Sequence, residues 1–313
     1  MEGVPRPFPL FTFLAGLTLI TIGTGCSGGT PPAPPSGESS AARGSGEQTS
    51  RIVSLSPAIT RTLVDLGAAN AVVGRTPFCA SIPASTPIVG SLLDLDLERL
   101  LSVRPTHVLI QPAATGTDPE LVRLAASRGW RLGQWRLDRL DDVAHMLDEL
   151  PATLGSEGSP LARSAAERRE SIVRLREVVP AADSPRVLLL VSIEPMVAAG
   201  TETFLSDVLA GIGCRNAIDR RAYPEVSHED LIRLVADSIV VLREREPSLA
   251  ERERIVSIVL ADDALRSRFA GRIVVFGDDD AMLPSSAVLA MSQRLRRAIS
   301  TEAPRESAAG AAR

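Results

Sequence analysis

The stretch "RIVSLSPAITRTLVDLGAANAVVGR", Arg51–Arg75, decides the fold. "RIVSLSP" (Arg51–Pro57) is a run of apolar residues closed by proline, the signature of a buried strand. Ile59–Leu66 carries apolar residues at helical spacing and stops at Gly67. "AVVGR" (Ala71–Arg75) then reads as a second strand. A strand, a helix and another strand in so few residues predict a parallel pair joined by a crossover helix.

The alternation continues outward from there. "DLERLLSVRP" (Asp96–Pro105) has helical spacing and stops at proline, and "THVLIQ" (Thr106–Gln111) is a buried-type strand. "DPELVRLAASRG" is a helix ending in glycine, and "RLGQWR" is another strand. From about Leu140 to Val179 the pattern is helical, with "GSEGSP" (Gly155–Pro160) either interrupting or bending it. Alternation then restarts with "RVLLLVS" (Arg186–Ser192), a helix at Phe204–Gly211 and "SIVVL" (Ser238–Leu242). A helix from Pro247, "RIVVFG" (Arg272–Gly277) and a helix at Ser286–Ile299 complete it. This predicts two α/β lobes: residues 51–139 and 181–300, bridged by a helical segment, 140–180. Ligands of such folds sit outside the carboxyl ends of the strands, so facing lobes make a cleft.

Composition narrows the function. The chain has 313 residues, 44% hydrophobic and 23% charged, with a net charge of −4. That balance suits a globular protein and argues against a nucleic-acid binder, which carries a basic stripe. All 34 basic residues are arginine, as coding bias in a GC-rich genome would produce. Before the first lobe, Arg6 precedes the apolar run "FPLFTFLAGLTLITI" (Phe8–Ile22), which leads into "GTGCSGG". This reads as a lipoprotein signal peptide, residues 1–26, with Cys26 as the lipidated residue. Gly23 stands where the lipobox normally has leucine. Residues 27–50, rich in Pro, Gly and Ser, read as a disordered tether, and 301–313 as a disordered tail. The expected location is therefore outside the cytoplasm, on a lipid anchor facing the periplasm or cell exterior. Cys79 and Cys214 are either one disulfide or two isolated thiols.

Catalytic motifs are absent. No G-x-S-x-G elbow, C-x-x-C or Walker loop occurs. "GIGCRN" (Gly211–Asn216) follows a helix and lacks the third glycine of a dinucleotide fingerprint. "SHEDLIRL" (Ser227–Leu234) begins like a zinc-hydrolase motif, but Ile232 stands where the second histidine is required. No resident metal, no cofactor and no enzymatic activity are expected.

In blocks, the chain resembles the periplasmic binding proteins that deliver vitamin B12, haem or iron–siderophores to ABC importers. The blocks are Arg51–Cys79, "VGSLLDLDLERLLSVRPTHVLI", "SIEPMVAAGTETFLSDVLAGIGCRNAI" and "YPEVSHEDLIRLVADSIVVL". They follow the family's order in both lobes, from Arg51 to about Ala298. The resemblance implies two Rossmann-like lobes joined by a long backbone helix, the class III fold of this family. It implies a monomer that captures a metal chelate, cobalamin or a related corrinoid first, and hands it to a permease. Haem or a ferric siderophore is the alternative ligand, and a non-transport sensor or structural lipoprotein the alternative role.

Site residues follow from motif position. Glu98 in "DLERL" and Glu229 in "SHEDL" fall where each lobe of the family presents a glutamate to transporter arginines. Phe78 and Tyr223 fall where family members have cleft aromatics, with Cys79 and Met196 beside them as further ligand contacts. The plainer reading of both aromatics is core packing. Ser91–Leu92 and Gln111, which bear tryptophan in some B12 binders, are not aromatic here. His228 is a bystander or a minority candidate for axial ligation; His107 is expected to be buried. Trp130 and Trp135 are expected to pack.

Overall fold

The computed structural model describes residues 50–302. The expected signal peptide with Cys26, the expected tether up to residue 49 and the expected tail beyond residue 302 lie outside the described residues.

The first lobe is built on β1 (Ile52–Ser54), β2 (Val72–Arg75), β3 (His107–Ile110) and β4 (Arg131–Gln134). All pair in parallel in the order β2-β1-β3-β4. Parallel strands covered on both faces read as unbroken apolar runs, and β1 and β3 are buried throughout. Their crossovers are α1 (Pro57–Asp65), α2 (Leu97–Ser102) and α3 (Pro119–Arg128). Each helix has its start written in the sequence. The Ser56, Asp96 and Asp118 side chains accept from the first-turn amides, and Pro57 and Pro119 occupy the opening turns of α1 and α3. Gly129, at φ 67°, ends α3 in a left-handed turn.

The bridging segment is two helices rather than one: α4 (Leu140–Thr153) and α5 (Pro160–Arg176). "GSEGSP" interrupts rather than bends, because Gly155 and Gly158 both take positive φ and Ser159 caps a new helix at Pro160. α5 is the long helix that leads from the first lobe into the second.

The second lobe holds β5 (Arg186–Ile193), β6 (Met196–Ala198), α6 (Phe204–Gly211), β7 (Arg215–Asn216), α7 (His228–Arg233) and β8 (Ser238–Arg243). It closes with α8 (Leu249–Val259), α9 (Asp263–Phe269), β9 (Ile273–Gly277) and α10 (Val288–Glu302). The parallel core is β5-β8-β9; β6 turns back antiparallel on β5, and β7 adds a short parallel pair to the start of β5.

One hydrophobic core runs through both lobes. It takes Ile52 and Leu63 from the first lobe, Met146 from α4, Ile172 from α5, and Leu189, Val208 and Met291 from the second. Each lobe's outer face has its own smaller core. Polar links also cross, and two of them join charged side chains. The Arg139 guanidinium donates to both oxygens of Asp207 on α6, at 2.8 and 2.5 Å, and Arg61 of α1 donates to Asp280 at 2.8 Å. Asp207 is buried at 7% exposed and also accepts from the Leu140 amide, at 3.1 Å. Its carboxylate, hydrogen-bonded to Arg139, raises that guanidinium's pKa further.

Candidate functional site

The carboxyl ends of β5 and β8 open into a cavity of about 750 Å³. Ile193 ends β5 and Glu194 follows it, Arg243 ends β8, Arg254 comes from α8, and Met282 comes from the loop after β9. Arg254 lies 3.7 Å from Glu194 across the cavity. Gly277 shapes the rim: a Cβ there would come within 2.4 Å of the Arg245 carbonyl, so the end of β9 packs directly on the β8–α8 loop. None of these residues was singled out in the sequence. For Ile193, Glu194 and Arg243 the signal was available, because they are the first residues past the predicted strands, where α/β folds place ligands.

The four expected ligand contacts divide. Phe78 is 69% exposed in the turn after β2, and Tyr223 is 47% exposed before α7, so neither is spent on core packing. Cys79 is a correction. It is fully buried, and its thiol sits among the hydroxyls of Thr60 (3.0 Å) and Thr76 (3.2 Å), beneath the surface that Phe78 occupies. Met196 is also corrected. β6 turns it into the outer core of the second lobe, against Val226 and Leu231, and Ile193 and Glu194 from the same loop face the cavity instead.

Tyr223 is held by an unusual bracket. Glu202 and Ala222 both adopt left-handed backbone, at φ 63° and 58°, which costs about 1 kcal/mol or more for a residue with a Cβ. Hydrogen bonds between the two turns keep them there: Gly200 N to Ala222 O at 2.8 Å and Ala222 N to Thr201 O at 2.9 Å. An ion pair between Arg221 and Glu202 closes the bracket. Strained backbone of this kind concentrates at functional positions. Burial by its surroundings, and then the Asp138 carboxylate on the first lobe, push the Tyr223 phenol up to about 12. Half the ring stays at the surface, so solvent tempers the effect, but its direction is upward. Tyr223 is the sole tyrosine. Its ionisation is therefore expected as a single ultraviolet transition above the ordinary value near 10, falling when Asp138 is replaced by asparagine. A midpoint that stays the same in the Asp138→Asn protein would remove Asp138 from its surroundings.

Both expected docking glutamates are exposed in first helical turns. α2 ends just before β3 begins and α7 just before β8, so each first turn lies towards the carboxyl edge of its sheet. Among the described residues Glu98 forms no ion pair; Glu229 lies 3.6 Å from Arg233, with both side chains mostly exposed. Next to Glu229, the His228 ring donates from Nε2 to the Ile258 carbonyl at 2.8 Å, tying α7 to α8. That bond occupies the ring within the second lobe. His107 is buried, as expected, and burial lowers its pKa. Trp135 packs over Gly133 and donates to Glu149 at 2.9 Å. Cys79 and Cys214 are separate buried thiols. Among the described residues no cluster of His, Cys, Asp or Glu is arranged to hold a metal ion, and no helix is long and apolar enough to cross a membrane.

Two α/β lobes, a helix leading between them and a cavity at the carboxyl ends of the strands define the class III binding-protein fold. The chain belongs to the periplasmic binding protein family, which matches residues 52–271. A curated relative, "Cobalamin-binding protein" of Halobacterium salinarum, is 26% identical over 202 residues, covering 61% of this chain and 53% of that protein. The chain thus spans about half the length of the curated relatives it matches. The apo periplasmic heme-binding protein RhuT from Roseiflexus sp. RS-1 superposes with a TM-score of 0.65 at 24% identity, over 82% of this chain and 99% of that one. The periplasmic vitamin B12 binding protein BtuF of Vibrio cholerae gives 0.58 at 18% identity, over 80% and 97%. These structural likenesses are of fold.

Proposed function

We propose that the chain is the substrate-binding subunit of an ABC importer, capturing cobalamin or a related corrinoid in its cleft and handing it to a permease without catalysing a reaction. The observation that carries this is the cavity of about 750 Å³ at the carboxyl ends of β5 and β8, lined by residues of the second lobe, in a chain of the periplasmic binding protein family. The name of the Halobacterium relative supports the corrinoid. A second reading, haem, is favoured by the guanidinium of Arg243, which has no ion pair among the described residues and suits an acidic substituent on a flat ligand, and by the Roseiflexus likeness. Titration of residues 51–302 with cyanocobalamin, hemin and a ferric siderophore separates these readings. One is expected to bind at about micromolar or tighter, roughly −8 kcal/mol. Millimolar binding by all three would sink the transport reading.

Membrane anchoring through Cys26 belongs to the same proposal. Cys26→Ser is expected to move the protein from the membrane to the soluble fraction; an unchanged distribution would count against the anchor.

A further inference from the structure

Asp65 is the last residue of α1, where the helix dipole disfavours a carboxylate, and no basic residue occupies that turn. It is nonetheless 11% exposed and met from three elements. Arg61 lies at 3.0 Å, Arg168 of α5 at 3.8 Å, and the Ser286 hydroxyl donates to it at 2.6 Å. In the other direction Arg61 donates to Asp280, at 2.8 Å. Arg294 of α10 lies 3.8 Å from Asp280 and forks onto Asp278 at 2.5 and 2.9 Å. Read through, the order is Arg168, Asp65, Arg61, Asp280, Arg294, Asp278. Three arginines alternate with three aspartates, from the connecting helix through the first lobe into the second.

The alternation gives every inner charge an opposite neighbour on each side. The three aspartates are 6% to 12% exposed, so their carboxylates depend on the arginines for partners, whereas the arginines reach partly into solvent. Asp278 and Asp280 sit on the loop that carries Met282 to the cavity wall. Apolar packing also joins the lobes, but it is non-directional and does not by itself set a register. Forked arginine–carboxylate pairs do.

We propose that this six-membered ionic ladder is the positioning element that fixes the cavity-bearing loop of the second lobe against the first. Its residues touch no ligand; they hold the wall that does. The consequence for capture rests on the cavity being the ligand site, whereas the fixing of the lobes does not.

Hydrogen exchange of the full chain reads this directly, because the Ser286 amide donates across the lobes to the Thr62 hydroxyl at 3.2 Å. Arg61→Gln is expected to speed exchange in the segment 280–287 by about tenfold while the buried strand β5 exchanges as in the wild type. Arg61→Lys, which keeps the charge and loses the fork, is expected to recover part of the protection. Unchanged protection in 280–287, or equal acceleration in β5, would overturn the proposal. Should Arg61→Gln fail to fold, Asp280→Asn takes its place with the same two readings. No ligand enters the measurement, so failure to bind any chelate leaves it standing.

Discussion

Replacing Arg139 with alanine is expected to destabilise the protein by about 3–5 kcal/mol, whereas replacing its partner with asparagine, Asp207→Asn, costs only about 1–3. The asymmetry follows from burial. Asp207 is 7% exposed and Arg139 is 33% exposed by side chain. Without Arg139, a carboxylate remains buried with only the Leu140 amide, at 3.1 Å, to meet its charge. Without the Asp207 charge, the guanidinium turns towards water, and the asparagine oxygen still accepts from Leu140. Replacing both residues with apolar side chains of similar size is expected to cost less than Arg139→Ala alone, because no buried charge is left unpaired. Urea unfolding of the three proteins decides the matter. Equal costs for the two single replacements would show that the pair is solvated rather than buried.

Much of this fold was legible in the sequence because its strands are parallel and covered on both faces. "THVLI" and "RVLLLVS" are apolar runs with no polar face, and the helices between them announce their caps. The helix at Phe204–Gly211 has the boundaries read from the sequence. β6 and β7 were not legible: three and two residues leave no period to detect. α9 merged with the helix before it, although Asp262, which accepts from the Leu265 amide at 2.9 Å, was a cap in plain view.

The site divided along a physical line. Neighbouring residues face opposite ways, so a motif that marks a loop does not say which side chain points out. Phe78 is exposed while Cys79, next in the chain, is fully buried. Met196 and Ala198 face the core while Val197, between them, is half-buried. The pairs that cross the lobes join residues from 68 to 224 positions apart, and no local pattern encodes such partners.

Reversing both docking charges together, Glu98→Arg with Glu229→Arg, is expected to lower uptake of the ligand by about a hundredfold or more, on the proposal that transporter arginines receive these glutamates. Each glutamate stands in an exposed first turn on the side of the strand ends, where its carboxylate is free to be exchanged. Glu98 has no ion pair among the described residues, and the Glu229–Arg233 pair at 3.6 Å is solvated on both sides, worth little and easily surrendered to a better partner. A neutral replacement removes one attraction per lobe. An arginine adds repulsion as well, and losses at two separate contacts multiply. Stability is a separate reading: exposed substitutions away from the core shift it by about 0.5 kcal/mol or less, and the cavity contains neither residue. The discriminating result is therefore lost uptake with unchanged ligand affinity and unchanged unfolding. Wild-type uptake by the double reversal would move the docking surface elsewhere, or place the chain among proteins that use this fold to sense a ligand rather than to deliver it.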